Sequence, residues 1–155
     1  MNSERIEQYW QAYLATLPAD SPIREEKYTA EKFGDGPAMA DELGALIVQG
    51  IKTATCSALW EWQAEGEDPP QAGLKTIVLD GAGLPLCIIE TSQVTVQAYD
   101  QVDAQFAHDE GEGDRSLAHW RRVHWDFFGR ALAQIGKQPR EDMPLVCERF
   151  RVIYK

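Results

Sequence analysis

Apolar positions recur along the chain with more than one period, and the changes of period mark out its elements. From Ser3 to Leu17, the residues Ile6, Trp10, Tyr13, Leu14 and Leu17 return at helical spacing, which predicts a helix with one apolar face, stopped by Pro18. Between Ala19 and Asp35 the pattern dissolves into Pro, Ser, Gly and charged residues, which predicts an irregular excursion ending in F-G-D-G-P. Pro37 suits the first turn of a second helix, whose face carries Met39, Leu43, Leu46 and Ile47. Gly50 just beyond them fits the left-handed position that ends helices.

After Gly50 the period shortens. Thr53 to Trp60 reads as a strand, with Lys52 at the corner before it and Trp60 and Trp62 facing one side. Two β-branched runs, Leu74 to Asp80 and Pro85 to Val96, flank G-A-G-L and predict a hairpin. The segment from Ala107 to Asp114 crowds Asp109, Glu110, Glu112 and Asp114 among glycines and reads as an acidic turn. Helical spacing returns from Arg115 to Ile135, through Leu117, Trp120, Val123, Phe127, Ala131 and Ile135, with Asp114 as the expected N-cap. Alternation from Cys147 to Tyr154 predicts a closing strand. The elements lack a regular β-α-β order, so the expected class is α+β, an antiparallel sheet or small barrel flanked by helices. Neither a repeat nor a linker interrupts the chain, and a single domain over 1–155 is expected, with residues up to about 35 as a helical extension.

Composition narrows the choice of ligand. With 44% hydrophobic and 26% charged residues, a chain of 155 residues is an ordinary globular protein rather than a disordered one. A formal net charge of -10 disfavours extended RNA or duplex DNA but leaves room for a local pocket that takes a nucleoside or short RNA. No 18-residue apolar run and no basic, apolar leader occur, so a cytoplasmic protein with no membrane association is expected. Cys56, Cys87 and Cys147 are far apart, form no C-x-x-C pair and read as buried free thiols.

The sequence has no phosphate-binding G-x-x-x-x-G-K-[ST] loop. His119 and His124 stand five apart, about 140° around a helix, and do not share one metal as an i, i+4 pair would; neither a metal nor a cofactor is expected. Among the aromatics, Trp60 is the better base-stacking candidate, while Trp120, Trp125, Phe127 and Phe128 carry the spacing of a helical core face. His124 fits either role. In the acidic turn, Asp114 and Glu112 suit a helix N-terminus, which leaves Glu110 without an obvious structural task.

Taken in order, G-I-K-T-A-T, F-A-H-D-E-G-E-G-D, S-L-A-H-W-R-R-V-H and C-E-R-F-R-V resemble the ASCH-domain family over nearly the whole chain, within its larger branch. The resemblance implies a PUA-like β-barrel with surrounding helices and a cleft for RNA or a modified nucleoside. In the related 4-N-acetylcytidine amidohydrolases the working groups are a lysine, a threonine and a glutamate. Lys52 and Thr55 match the first two through G-x-K-x-x-T, and Glu110 takes the third place, with Glu112 as its competitor. Gly50, Trp60, Glu112 and His124 stand as ligand-contacting candidates. The implied function is an amidohydrolase of acylated pyrimidine nucleosides; a non-catalytic RNA-binding or regulatory module and a ribonuclease are the alternatives. Lys52 as base oriented by Glu110, and Glu110 as base beside an oxyanion-holding Lys52, both remain open. If the cleft is partly solvated, Lys52→Met should act on turnover with little change in stability.

Overall fold

The computed structural model describes residues 2–155. Three helices of twelve residues or more, two of seven and a five-stranded sheet make up the α+β architecture that the mixed periods predict, and the elements follow as α1 (Asn2–Leu14), β1 (Tyr28–Lys32), α2 (Pro37–Val48), β2 (Ala54–Ala58), α3 (Leu59–Glu65), β3 (Lys75–Leu79), β4 (Pro85–Ala98), α4 (Ala104–Glu110), α5 (Leu117–Ala133) and β5 (Pro144–Tyr154). The hydrogen-bonded strand order is β1-β3-β4-β5-β2. The chain forms two compact units: residues up to Gly50 with Gly73–Glu90 and Arg151–Lys155, and Ile51–Ala72 with Thr91–Phe150.

In the first unit, α1 buries Trp10, Tyr13 and Leu14 against Ile77, Leu79 and Ile88. The Trp10 ring stacks on Tyr28 with centroids 4.5 Å apart, and the Tyr28 hydroxyl donates to Glu7 at 2.6 Å. The hairpin forms as expected: β3 and β4 pair antiparallel, and Asp80 Oδ1 accepts from the Ala82 and Leu84 amides in the turn. The excursion between α1 and α2 is not irregular throughout. It holds a short 3-10 turn, Pro22–Glu25, and then β1, which runs parallel to β3. Four of the five β1 residues are exposed, so β1 lacks the apolar alternation that would announce it and owes its form to the ladder with β3.

The second unit packs Phe106, Trp120, Phe128, Leu132, Met143 and Leu145 over the small residues Ala54 and Ala58 of β2. β2 pairs antiparallel with β5, so that Cys56 stands opposite Cys147 and Ala54 opposite Arg149. Two expectations fail here. The strand ends at Ala58, and Trp60 and Trp62 lie on α3, where two residues are about 200° apart and face different sides. Small, β-branched and aromatic residues in T-A-T-C-S-A-L-W-E-W carry no turn signal at the switch, so periodicity ran past it. Asp114 is not the cap of α5 either. Ser116 is, accepting from the His119 amide at 3.1 Å, while Asp114 holds the Ser116 hydroxyl at 2.6 Å. Cys87 and Cys147 are buried, Cys56 is half-buried, and all three are free thiols. Among the described residues, no helix is long and apolar enough to cross a membrane.

Candidate functional site

The site grows from two tight turns in the second unit. Before β2, the Thr53 amide donates to the Asp109 carbonyl at 2.8 Å and the Phe150 amide to the Thr53 carbonyl at 3.1 Å, which fixes the backbone directly after Lys52. The Lys52 side chain turns inward until only 1% of it is exposed. Its ammonium donates to the Ala54 carbonyl at 2.8 Å, Glu110 Oε1 at 2.9 Å and Glu112 Oε2 at 3.2 Å. The Glu110 carbonyl oxygen is a fourth acceptor at 3.4 Å, so the three donors of the ammonium are shared among four acceptors.

Both glutamates are aimed by Gly111. It ends α4 in the left-handed region at φ 77°, so that Glu110 closes the helix and Glu112 follows the reversal. A side chain there has no room: a Cβ on Gly111 would stand 2.7 Å from the Ile51 carbonyl oxygen and 3.0 Å from Lys52 Cα. Glycine is required here by conformation and by close approach together. Gly111→Ala is therefore expected to lose about 2 kcal/mol or more of stability and to loosen both glutamates from Lys52. Urea unfolding measures the first; a variant as stable as wild type would contradict this packing.

The far side of Glu110 is just as crowded. Its Oε2 accepts from Trp120 Nε1 at 2.6 Å and from the Cys56 thiol at 3.3 Å, and lies 3.3 Å from His124 Nε2. Trp120 and His124 are four apart on α5 and share a face; their rings stack at 4.3 Å. His124 Nδ1 lies 2.9 Å from the Trp120 carbonyl oxygen. Both imidazole nitrogens therefore face acceptors, which calls for a proton on each.

The charges balance. Two cations, Lys52 and His124, meet two anions, Glu110 and Glu112. Burial by itself pushes the Glu110 carboxyl up, yet Lys52, His124 and the Trp120 indole together outweigh it and hold the group well below the usual carboxylate range. For Lys52 and His124 burial favours the neutral form, but the facing carboxylates prevail and raise both. Burial first, and the Glu110 charge next, push the Cys56 thiol well above its ordinary value and keep it protonated.

A cavity of about 160 Å³ is lined by residues of β4, α4 and β5. Gln93, Thr95 and Gln97 from β4 line it together with Phe106, Cys147 and Arg149, and Asp103 lies at its edge. The Arg149 guanidinium sits 5.3 Å from the Phe106 ring centre and donates to Asp109 at 2.6 Å. The cavity's lining residues are neighbours of the charged cluster rather than members of it: Arg149 bonds Asp109, the residue before Glu110, and Cys147 stands opposite Cys56 in the β2–β5 register.

Comparison with known proteins gives this geometry a family. The ASCH-domain family model matches residues 29–154. The chain belongs to the ASCH-domain family. Its fold matches the crystal structure of an ASCH domain from Lactobacillus crispatus with a TM-score of 0.93 and 37% identity, covering 98% of this chain and 96% of that one. A structure from Enterococcus faecalis matches with a TM-score of 0.85 and 37% identity over 97% of this chain and 89% of that one. No curated protein matches the chain.

Within this ASCH domain, the residues singled out in the sequence divide into two groups. Lys52, Glu110, Glu112 and His124 come together in one cluster. Thr55, Trp60 and Gly50 do not enter it. Thr55 follows Ala54 and precedes Cys56 on β2, so strand alternation turns it to the opposite face, where it pairs with Glu148 in the register. Trp60 packs against the core of its unit, with the Lys137 ammonium 5.4 Å from its ring centre. Gly50 ends α2 at φ 76° with its amide bonded to the Ile47 carbonyl, a turn residue with open space where a side chain would be. Sequence reasoning missed Trp120 and Cys56 as partners of Glu110. The spacing of Trp120 and His124, one turn apart, was the available signal; Cys56 offered none beyond its place next to the motif.

Proposed function

We propose that this ASCH domain binds a small nucleoside-like ligand in the cavity beside the Lys52–Glu110 cluster. The observation that carries the reading is the lining: two carboxamides, an aromatic ring and a guanidinium around a space of about 160 Å³. Gln93 and Gln97 offer the paired donors and acceptors that match the edge of a pyrimidine, and Phe106 offers a face for the base. The space is below the roughly 300–1,000 Å³ of ordinary ligand pockets, which suits one base with its sugar outside. The net charge of -10 works against a longer polyanion.

Calorimetry with cytidine, 4-N-acetylcytidine and a long single-stranded RNA at two salt concentrations tests this. Nucleoside binding should be nearly independent of salt and lost in Gln97→Leu and Arg149→Met, whereas RNA binding should be weak and fall steeply with salt. Tight, salt-resistant binding of the long RNA overturns the reading.

A second reading, hydrolysis of acylated pyrimidine nucleosides, is favoured by the buried charges. Apolar side chains of similar volume would hold a core at least as well as an ion cluster, and grouped perturbed acids and bases are the mark of a working site. Of the two roles for Lys52, the charged, carboxylate-held state disfavours the base, and as an oxyanion partner the ammonium would have to release one of its present acceptors, of which Glu112 is the most exposed. Thr55→Val tests the hydroxyl directly, by mass detection of the deacylated nucleoside. With Thr55 as nucleophile, turnover should fall on the order of a hundredfold or more; full turnover removes Thr55 from the chemistry and leaves water as the nucleophile.

A further inference from the structure

Three groups in the second unit converge on one point without sharing an element. Cys56 comes from β2, Glu110 from the end of α4 and His124 from the middle of α5, and one ligand atom of each lies within 4.8 Å of the other two. Glu110 Oε2 is 3.3 Å from both the Cys56 sulfur and His124 Nε2. Tetrahedral zinc bonds of about 2.0–2.3 Å place neighbouring ligand atoms about 3.3–3.8 Å apart. Two edges of such a site are therefore already set.

We infer that Cys56, Glu110 and His124 form a zinc site, with the fourth position left to water or another ligand. The groups behind the three ligands fit this use. His124 turns Nδ1 to the Trp120 carbonyl at 2.9 Å, the arrangement that aims Nε2 at a metal. Glu110 is steadied from both sides, by Lys52 on Oε1 and by the Trp120 indole on Oε2. A thiolate, an imidazole and a carboxylate are a donor set that selects zinc over magnesium or calcium.

Charge conservation supports the same assignment. The divalent ion displaces one proton from the Cys56 thiol and one from the His124 imidazolium, and both protons leave for solvent. Two positive charges enter and two depart, so the cluster stays balanced against Lys52 and Glu112. The metal itself makes the buried thiol a thiolate. Cys56, half-buried, is the most open member of the set, while Glu110 and His124 are buried. The histidine pair at 119 and 124, which sequence spacing rules out, is not needed.

Cobalt(II) titration of the metal-stripped, reduced full-length protein tests the inference, because cobalt in a zinc site reports its ligands by absorption. One cobalt per chain is expected, with intense visible bands of tetrahedral geometry and a near-ultraviolet thiolate-to-cobalt band, both bleached by one equivalent of zinc. Cys56→Ala should lose the thiolate band, His124→Gln should weaken binding at least tenfold, and Cys147→Ser should leave the spectrum unchanged. The absence of stoichiometric binding by wild type overturns the site whatever the variants do. So does a thiolate band that persists in Cys56→Ala or vanishes only in Cys147→Ser. Where Cys56→Ala does not fold, Cys56→Ser takes its place in the same comparison.

Discussion

Glu110→Gln should lower the free energy of unfolding by about 3–5 kcal/mol, the cost of breaking a buried ion pair from one side. The carboxylate accepts on both oxygens, from Lys52 on one and from Trp120, Cys56 and His124 on the other. An amide can keep only one of these sides. Whichever way it turns, its NH2 group points at donors, and two cations lose their nearest anion in a space where Glu110 is 1% exposed. Glu112→Gln is the comparison that gives the effect its meaning. Glu112 bonds Lys52 as well, but its side chain is 20% exposed and water can take over part of its role, so the loss should be about 1 kcal/mol. Urea unfolding of both variants measures the pair. Equal losses, or a Glu110→Gln as stable as wild type, would contradict the central place given to Glu110.

That asymmetry was only partly legible in the sequence. The helix-ending Gly50, the corner position of Lys52 and the excess acid at Glu110 could be read from period and turn chemistry, since each depends on neighbours within a few residues. What could not be read depends on neighbours far along the chain. The 1% exposure of Lys52 comes from 58 residues away, where α4 ends against it, and it removes the condition, a partly solvated cleft, under which Lys52→Met would leave stability nearly unchanged. Likewise β1 exists because β3 pairs with it, and the side of β2 on which Thr55 stands follows from where that strand begins, a boundary that small and β-branched residues leave unmarked. The acidic turn misled for a related reason. Four acids in eight residues look like one repelling group, yet they part company: Asp109 goes to Arg149, Glu110 and Glu112 to Lys52, and Asp114 to the Ser116 cap.

Lys52→Met gives the second large effect and separates structure from function. The methionine fills the stem's space, but Glu110 and Glu112 lose the cation between them, and a loss of about 3–5 kcal/mol is again expected. The double variant Lys52→Met/Glu110→Gln should lose clearly less than the sum of the two single losses, by about 2 kcal/mol, because the second change removes the very charge that the first left stranded. Function should not recover with stability. If Lys52 stabilises an oxyanion, turnover of an acylated nucleoside in the double variant should remain down on the order of a hundredfold or more, as in Lys52→Met alone. If the cluster serves only to shape the wall of the cavity, nucleoside affinity should instead follow stability and return in part. Urea unfolding and calorimetry on the same four proteins decide between these outcomes, and strict additivity of the two stability losses would show that Lys52 and Glu110 do not act as one unit.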